Sequence, residues 1–340
     1  MKKHKLQLST THILLLSFLA AILIGTTLLC LPISSANHTA TPFVDSLFTA
    51  TTSTCVTGLV VTPTFSSWSI FGQIVILCLI QLGGLGVITS MACVSILLHR
   101  KLGLKDGLLL QDTLNLNTLS GLPNFIKSVV KWTFMVEGMG AILYMPVFIS
   151  DFGLRGIWIS IFTSISAFCN AGIDVISPNS LSAYVSNPWI NFVTCLLIIL
   201  GGLGYIVWFD IVNLFKKKNG KRFNFQTLSL HSKIVLISTF ALISVGAALI
   251  FIFEYNNPLT IQNFSLFDKI QSSFFQSVTT RTAGFFTVPQ ENLTNASSIL
   301  CLLLMFIGGS PVGTAGGVKT VTMVILITSA IATIRNRDDV

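Results

Sequence analysis

Charge is what this sequence has least of. Only 9% of its 340 residues are charged, against roughly 25% in a soluble domain, while 52% are hydrophobic and the mean hydropathy is +0.81. A soluble globular fold is excluded, and so are a disordered chain and a collagen-like rod. Cysteine pairing is also missing. Cys30, Cys55, Cys78, Cys93, Cys169, Cys195 and Cys301 form no CxxC, pair with no histidine and lie in or beside apolar runs. They read as small hydrophobes, which rules out a disulfide-stapled domain. His4, His12, His99 and His231 flank the ends of apolar segments and His38 lies in a loop, so no metal site is expected. There is no HExxH, no GxSxG and no paired carboxylate inside an apolar run; an intramembrane enzyme would lack its nucleophile, base or metal.

What the sequence has is long apolar runs. Crossing ~30 Å of hydrocarbon at 1.5 Å per residue takes about 20 apolar residues. Six windows qualify: 13–33, 70–98, 129–150, 189–215, 233–254 and 297–334. The first follows Lys2, Lys3 and Lys5 but is too long for a signal-peptide core, and is expected to be an uncleaved span. The net charge of +8 is topogenic. Sixteen of the twenty Lys and Arg fall before span one, between spans two and three or four and five, at the adjoining ends of spans three and five (Lys131 and Lys233), or after six, which places both termini in the cytoplasm of a plasma-membrane protein. No basic patch is interleaved with surface aromatics, which excludes nucleic acid as a partner. Asp45, Asp151, Asp174, Glu254, Asp268 and Glu291 gather on the other side, where a negative vestibule would concentrate cations.

The three outer hairpins are copies of one another. Leu47-Phe48-Thr49-Ala50-Thr51-Thr52-Ser53-Thr54-Cys55-Val56-Thr57-Gly58 aligns without gaps on residues 161–172, which end Phe168-Cys169-Asn170-Ala171-Gly172. It aligns again on residues 273–284, which end Thr280-Arg281-Thr282-Ala283-Gly284. The glycines are 114 and then 112 residues apart, and 24 to 29 residues after each comes a glycine pair, Gly83-Gly84, Gly201-Gly202 and Gly308-Gly309. The chain therefore divides into 1–98, 99–215 and 216–340, each a helix, a pore loop and a helix. The fold class is an all-α polytopic membrane protein with tandem parallel repeats around a pseudo-symmetric pore.

Each hairpin is too short to span and long enough to dip halfway in. Irregular backbone at that depth must line a wet cavity or be packed in protein. Glycine's freedom at positive φ lets successive carbonyls point the same way, and carbonyl oxygens at close quarters replace the hydration shell of a monovalent cation. The candidate filter is Cys55, Val56, Thr57 and Gly58, then Cys169, Asn170, Ala171 and Gly172, then Arg281, Thr282, Ala283 and Gly284. Asn170 is expected to brace the filter from behind.

These strings, with Gly308-Gly309-Ser310-Pro311-Val312-Gly313-Thr314-Ala315-Gly316-Gly317-Val318-Lys319-Thr320, resemble the filter hairpins and interrupted helix of the Trk/Ktr/HKT potassium-transporter superfamily. The likeness covers the whole chain and is nearest the KtrB type. It implies four repeats around one pore, K+ held by filter carbonyls, a gate at the broken helix, and a homodimer on a cytoplasmic ring of nucleotide-binding, KtrA-like regulatory subunits. In the Ktr branch it also implies Na+ as a coupling ion. A fourth hairpin is expected about one period beyond Gly284, but the sequence ends at Val340. The expectation is therefore a fragment, or a fourth quadrant supplied by a partner or oligomer, and poor transport by the chain alone. A weakly selective cation or water pore stays open as an alternative. Inverted-repeat transporters do not fit, because these repeats run parallel.

Residues 308–317 hold five glycines and a proline and cannot form a continuous helix. The candidate gate is Gly308, Gly309, Ser310, Pro311, Gly313, Thr314, Gly316, Gly317 and Lys319, with Lys319 expected to hold freed carbonyls of the break. Arg281 puts a cation beside a cation path. It is expected to turn behind its hairpin and pair with Glu137, the one acidic residue near the middle of a span.

Overall fold

The computed structural model describes residues 10–86, 89, 90, 92, 122–216 and 225–335. Among these the chain is helix and turn; its only extended pairings are isolated bridges, Ser35 with Trp68 and Ile307 with Val318. Among the described residues three single helices are long and apolar enough to cross a membrane: α1 (Thr10–Cys30), α4 (Leu122–Phe152) and α8 (Leu230–Glu254). Each is followed by a short helix packed back along it, α2 (Phe43–Cys55), α5 (Arg155–Phe168) and α9 (Leu266–Thr279). At 13 or 14 residues these reach ~20 Å, about two thirds of the hydrocarbon thickness. Their serines and threonines are buried without disrupting them because the hydroxyls bond back one turn, as Ser53 does to the Thr49 carbonyl and Ser273 to that of Lys269.

A third helix then leaves each loop: α3 (Ile70–Leu85), α6 (Pro188–Leu203) and α10 (Asn295–Phe306). Ser69, Asn187 and Thr294 cap them, each side chain accepting from N–H groups of the first turn, so the chain re-enters helix at a fixed point. A break is expected in the sixth window, and none is named in 70–98 or 189–215. Instead α3 and α6 both stop at a glycine, Gly86 and Gly204, each at φ 81°. Beyond Gly204, α7 (Tyr205–Lys216) departs at 96°. With ψ of 131° and 148° these glycines sit in or near a region essentially closed to residues with a Cβ. The third glycine of Gly-Gly-Leu-Gly was the signal. Residues 93–98 of the second window lie outside the described residues, as do most of the basic residues that set the orientation. After α10 the chain makes a long loop before α11 (Thr320–Ile334).

The core centres on α4, α5 and α6, where Tyr144, Phe148, Phe162 and Phe168 are fully buried. The outer face is apolar, with Phe240 of α8 75% exposed, as befits helices facing lipid.

Candidate functional site

The hairpins share one backbone conformation. α2 ends at Cys55, and Val56 follows at φ 55°. α5 ends at Phe168, with Asn170 at φ 56°; α9 ends at Thr279, with Thr282 at φ 67°. Two residues later come Gly58, Gly172 and Gly284 at φ 79°, 65° and 87°. A β-branched residue at positive φ, as at Val56 and Thr282, is rare and persists only where its surroundings impose it. The surroundings here are a hydroxyl clasp. Thr52 Oγ1 accepts from the Leu59 N–H (3.1 Å), Ser166 Oγ donates to the Ile173 carbonyl (2.5 Å), and Thr279 Oγ1 donates to that of Phe285 (2.5 Å). In each hairpin the half-helix thus holds the residue just past its glycine.

The three glycines meet. A methyl group built on Gly172 would lie 2.5 Å from Gly284 Cα, and one on Gly58 would lie 3.5 Å from Gly284 Cα and 3.6 Å from Gly172 Cα. The carbonyl before one glycine faces the glycine of its neighbour: Ala171 O lies 2.8 Å from the methyl position of Gly58, and Ala283 O 2.5 Å from that of Gly172. Together the glycines floor an open cavity of about 320 Å³, with Thr64, Asp174 and Ser177 among its walls. Of the six acidic residues expected in a vestibule, only Asp174 lines this cavity. Glu254 is buried and accepts from Thr260 and from both the N–H and the hydroxyl of Thr294, and Asp151 accepts from Tyr184. Asp174 Oδ1 accepts from the Ile176 N–H (3.1 Å). Burial pushes its carboxyl above the ordinary value, against the pull of that N–H.

The remaining filter candidates separate. Cys55 and Thr57 are exposed, whereas Cys169, Asn170 and Ala171 are buried. Cys169 is no inert hydrophobe: its thiol lies 3.7 Å from Glu137 Oε1 and 3.9 Å from Gln81 Oε1. Asn170 is buried and donates from Nδ2 to Thr314 Oγ1 (2.7 Å). The Arg281–Glu137 pairing is overturned. Arg281, 6% exposed, donates from Nη2 to the Gly308 carbonyl (3.0 Å), while Glu137 accepts from Gln81 Nε2 (3.3 Å). The glycine break offers Arg281 a carbonyl nearby, which satisfies Nη2, while its buried Nε has no partner.

The loop 307–319 lies under the second and third hairpins. Its ends pair, Gly308 N–H with Val318 O and Gly309 N–H with Gly316 O, and Gly317 turns at φ 70°. Its middle docks on α6. The N–H groups of Ser310 and Thr314 reach Gly202 O (2.9 Å) and Gly201 O (3.1 Å), and the Ser310 hydroxyl reaches Leu203 O. Bending at Gly204 leaves those last-turn carbonyls without helical partners; the loop supplies them. In return Val312 O accepts from the Tyr205 N–H (3.1 Å), with Pro311 and Gly313 beside it. Upward, Thr314 Oγ1 donates to Phe168 O (2.8 Å) and Gly316 N–H to Thr282 Oγ1 (2.8 Å). Lys319 donates to Ala315 O (2.7 Å), a carbonyl of the break.

A family model described as TrkH, cation transport protein, matches residues 3–340. The chain belongs to this family. The TrkH family transports cations and is not one of enzymes. Among its relatives are the Ktr system potassium uptake protein B of Bacillus subtilis, 37% identical over 96% of this chain and 72% of that protein, and the potassium/sodium uptake protein NtpJ of Enterococcus hirae, 37% identical over 96% and 70%. The Ktr system potassium uptake protein B of Vibrio alginolyticus is 33% identical over 95% and 70%. The potassium transporter TrkH of Vibrio parahaemolyticus shares the fold, with a TM-score of 0.74 over 100% of this chain and 66% of that one at 16% identity. The all-α membrane architecture expected from composition and repeats is thus that of the TrkH fold.

Proposed function

We propose that the chain is the membrane-embedded, ion-conducting subunit of a potassium uptake system, selecting K+ by backbone carbonyls of its re-entrant hairpins. One observation carries this: Gly58, Gly172 and Gly284, from hairpins more than a hundred residues apart, meet at the floor of one outer cavity, with the Ala171 and Ala283 carbonyls turned to the neighbouring glycine. Relatives named for potassium uptake, and one for potassium and sodium, support K+ as substrate and Na+ as a second ion. The units are 1–98, 99–215 and 216–340, in the plasma membrane with both termini cytoplasmic. Relatives described as parts of a Ktr system support a KtrA-like regulatory ring beneath a homodimer.

The test is ion-dependent stability. Purified chain in lipid nanodiscs should unfold at a higher temperature in K+ than in equal Na+ or choline, because a ligand that binds only the folded state stabilises it by mass action. Equal melting in all three salts would remove the filter; equal stabilisation by K+ and Na+ would leave the weakly selective pore.

The loop 308–319 is the gate in this reading, held closed by Thr314 and Arg281. Thr314→Val removes the hydroxyl shared by Phe168 O and Asn170 Nδ2, leaving a buried amide donor unpaired at a cost of about 1–3 kcal/mol. Cation leak into vesicles should rise several-fold over wild type, with the K+-dependent melting shift retained. A flux unchanged by Thr314→Val would make the loop a static brace.

A further inference from the structure

We propose that Glu137 is held as a neutral carboxylic acid in a closed hydrogen-bond ring with Gln81 and Cys169, and that this ring positions the second hairpin. Glu137 lies midway along α4 and is 3% exposed. No described Lys, Arg or His reaches it, since Arg281 is spent on Gly308. An ionised carboxylate at membrane depth normally finds a cation or a water-filled cavity. This one faces an amide and a thiol.

Counting donors and acceptors decides the charge. If Glu137 is ionised it accepts from Gln81 Nε2 and from the thiol, and Gln81 Oε1 is left competing for the same sulfur-bound hydrogen. If Glu137 carries a proton on Oε1, the ring closes. Gln81 N–H donates to Glu137 Oε2 across 3.3 Å, the carboxyl O–H donates to Cys169 Sγ across 3.7 Å, and the thiol donates to Gln81 Oε1 across 3.9 Å. Each group then gives once and receives once, as buried polar groups require. Among the described residues Tyr205 is another titratable group that interacts electrostatically with Glu137; its hydroxyl pairs with Thr133 at 2.9 Å, one turn along α4.

The ring grips the hairpin where position matters. Cys169 caps α5 and directly precedes Asn170, the positive-φ residue two before Gly172. Its sulfur also sits against Gly84 of α3, where an added methyl would lie 2.5 Å from it. Ser164 of α5 donates to the Glu137 carbonyl at 2.6 Å, so one residue holds the half-helix through backbone and side chain. Glu137 does not line the cavity above the three glycines, so it is a positioning residue, and this half of the proposal rests on the filter reading.

Infrared difference spectra of the purified chain in nanodiscs at neutral pH, wild type minus Glu137→Gln, should show the carbonyl band of a protonated carboxyl. Its absence overturns the neutral ring whatever the filter does. Glu137→Gln can rebuild the ring, its amide donating to Cys169 and accepting from Gln81, so the ratio of K+ to Na+ concentrations giving half-maximal thermal stabilisation should stay within about twofold of wild type. Glu137→Leu should shift that ratio by about tenfold, near 1.4 kcal/mol. Should Glu137→Leu fail to fold, Cys169→Ala breaks the same ring and must show the shift. Glu137→Gln as damaging as Glu137→Leu, or Cys169→Ala without effect, overturns the positioning role. A wild type with no K+ preference would sink the filter reading, and the positioning half with it, while the spectra still decide the ring.

Discussion

Gly172→Ser should abolish K+-dependent stabilisation, and should do so more completely than serine at Gly58 or Gly284. All three glycines sit at positive φ, where a side chain costs about 1–2 kcal/mol by its contact with its own carbonyl. What differs is the neighbour. A Cβ at Gly172 would fall 2.5 Å from both Ala283 O and Gly284 Cα, and 2.8 Å from Gly284 C, all backbone atoms with no rotamer to escape by. At Gly58 one backbone oxygen lies at 2.8 Å and the next atoms at 3.5 Å or beyond; at Gly284 the nearest, Gly172 Cα, is at 3.0 Å. Serine at 172 must therefore push the second and third hairpins apart, whereas at 58 and 284 a small shift suffices. Melting curves of the three variants in K+ and Na+ give the order directly. The expected loss is at least about a hundredfold in apparent K+ affinity at 172, near 2.7 kcal/mol, and about tenfold at the other two. A Gly58 variant as impaired as the Gly172 variant would show that the hairpins do not crowd one another as described.

The second large effect separates two adjacent glycines. Gly201→Ala should destabilise the protein by roughly 3 kcal/mol, at the upper end of what overpacking costs, whereas Gly202→Ala should cost less than about 1 kcal/mol, because the added methyl meets only ordinary van der Waals contact and overpacks nothing. A Cβ at Gly201 would collide with the Phe168 carbonyl and come within 2.6 Å of Thr314 Oγ1; at Gly202 the nearest atom is Ala315 Cβ at 3.8 Å. Gly201 is thus the contact through which α6 lies flat on the end of α5. Gly83 makes the same approach to the Thr54 carbonyl, and Gly83→Ala should match Gly201→Ala. Gly138, with nothing within 4 Å, is the control; alanine there should raise stability by up to about 1 kcal/mol through helix propensity. Thermal unfolding in detergent measures all four. Equal losses at 201 and 202 would mean that the pair serves flexibility and not close approach.

The helical membrane fold was legible because composition, apolar run length and the repeated hairpin all bear on it at once. The positive-φ glycines were legible too, since a glycine recurring after a half-helix has few other uses. Partner choice was not. Depth can be counted along a sequence, so Arg281 and Glu137 were both placed inside the membrane; which way each faces depends on helix rotation, which one sequence does not encode. The carbonyl freed at Gly308 and the amide of Gln81 lay closer. Val56 and Thr282 gave no hint of left-handed backbone, because β-branched residues argue against it; only Asn170, in the matching position, carried the signal. The gapless alignment also hid a small difference at the helix ends. Ala171 N–H bonds five residues back to Ser166 O, as Thr57 does to Thr52 O, but Ala283 bonds four back to Thr279 O, so the third clasp comes from one position nearer its glycine.

The docking of residues 310–314 on the bend of α6 sets a condition on any movement of that segment. The oxygens of Gly201, Gly202 and Leu203 take their hydrogen bonds from it, and a peptide oxygen stranded in hydrocarbon costs several kcal/mol. If the segment is the gate proposed above, its withdrawal is inseparable from wetting: solvent must fill the vacated place as it leaves, so opening and flooding are a single event.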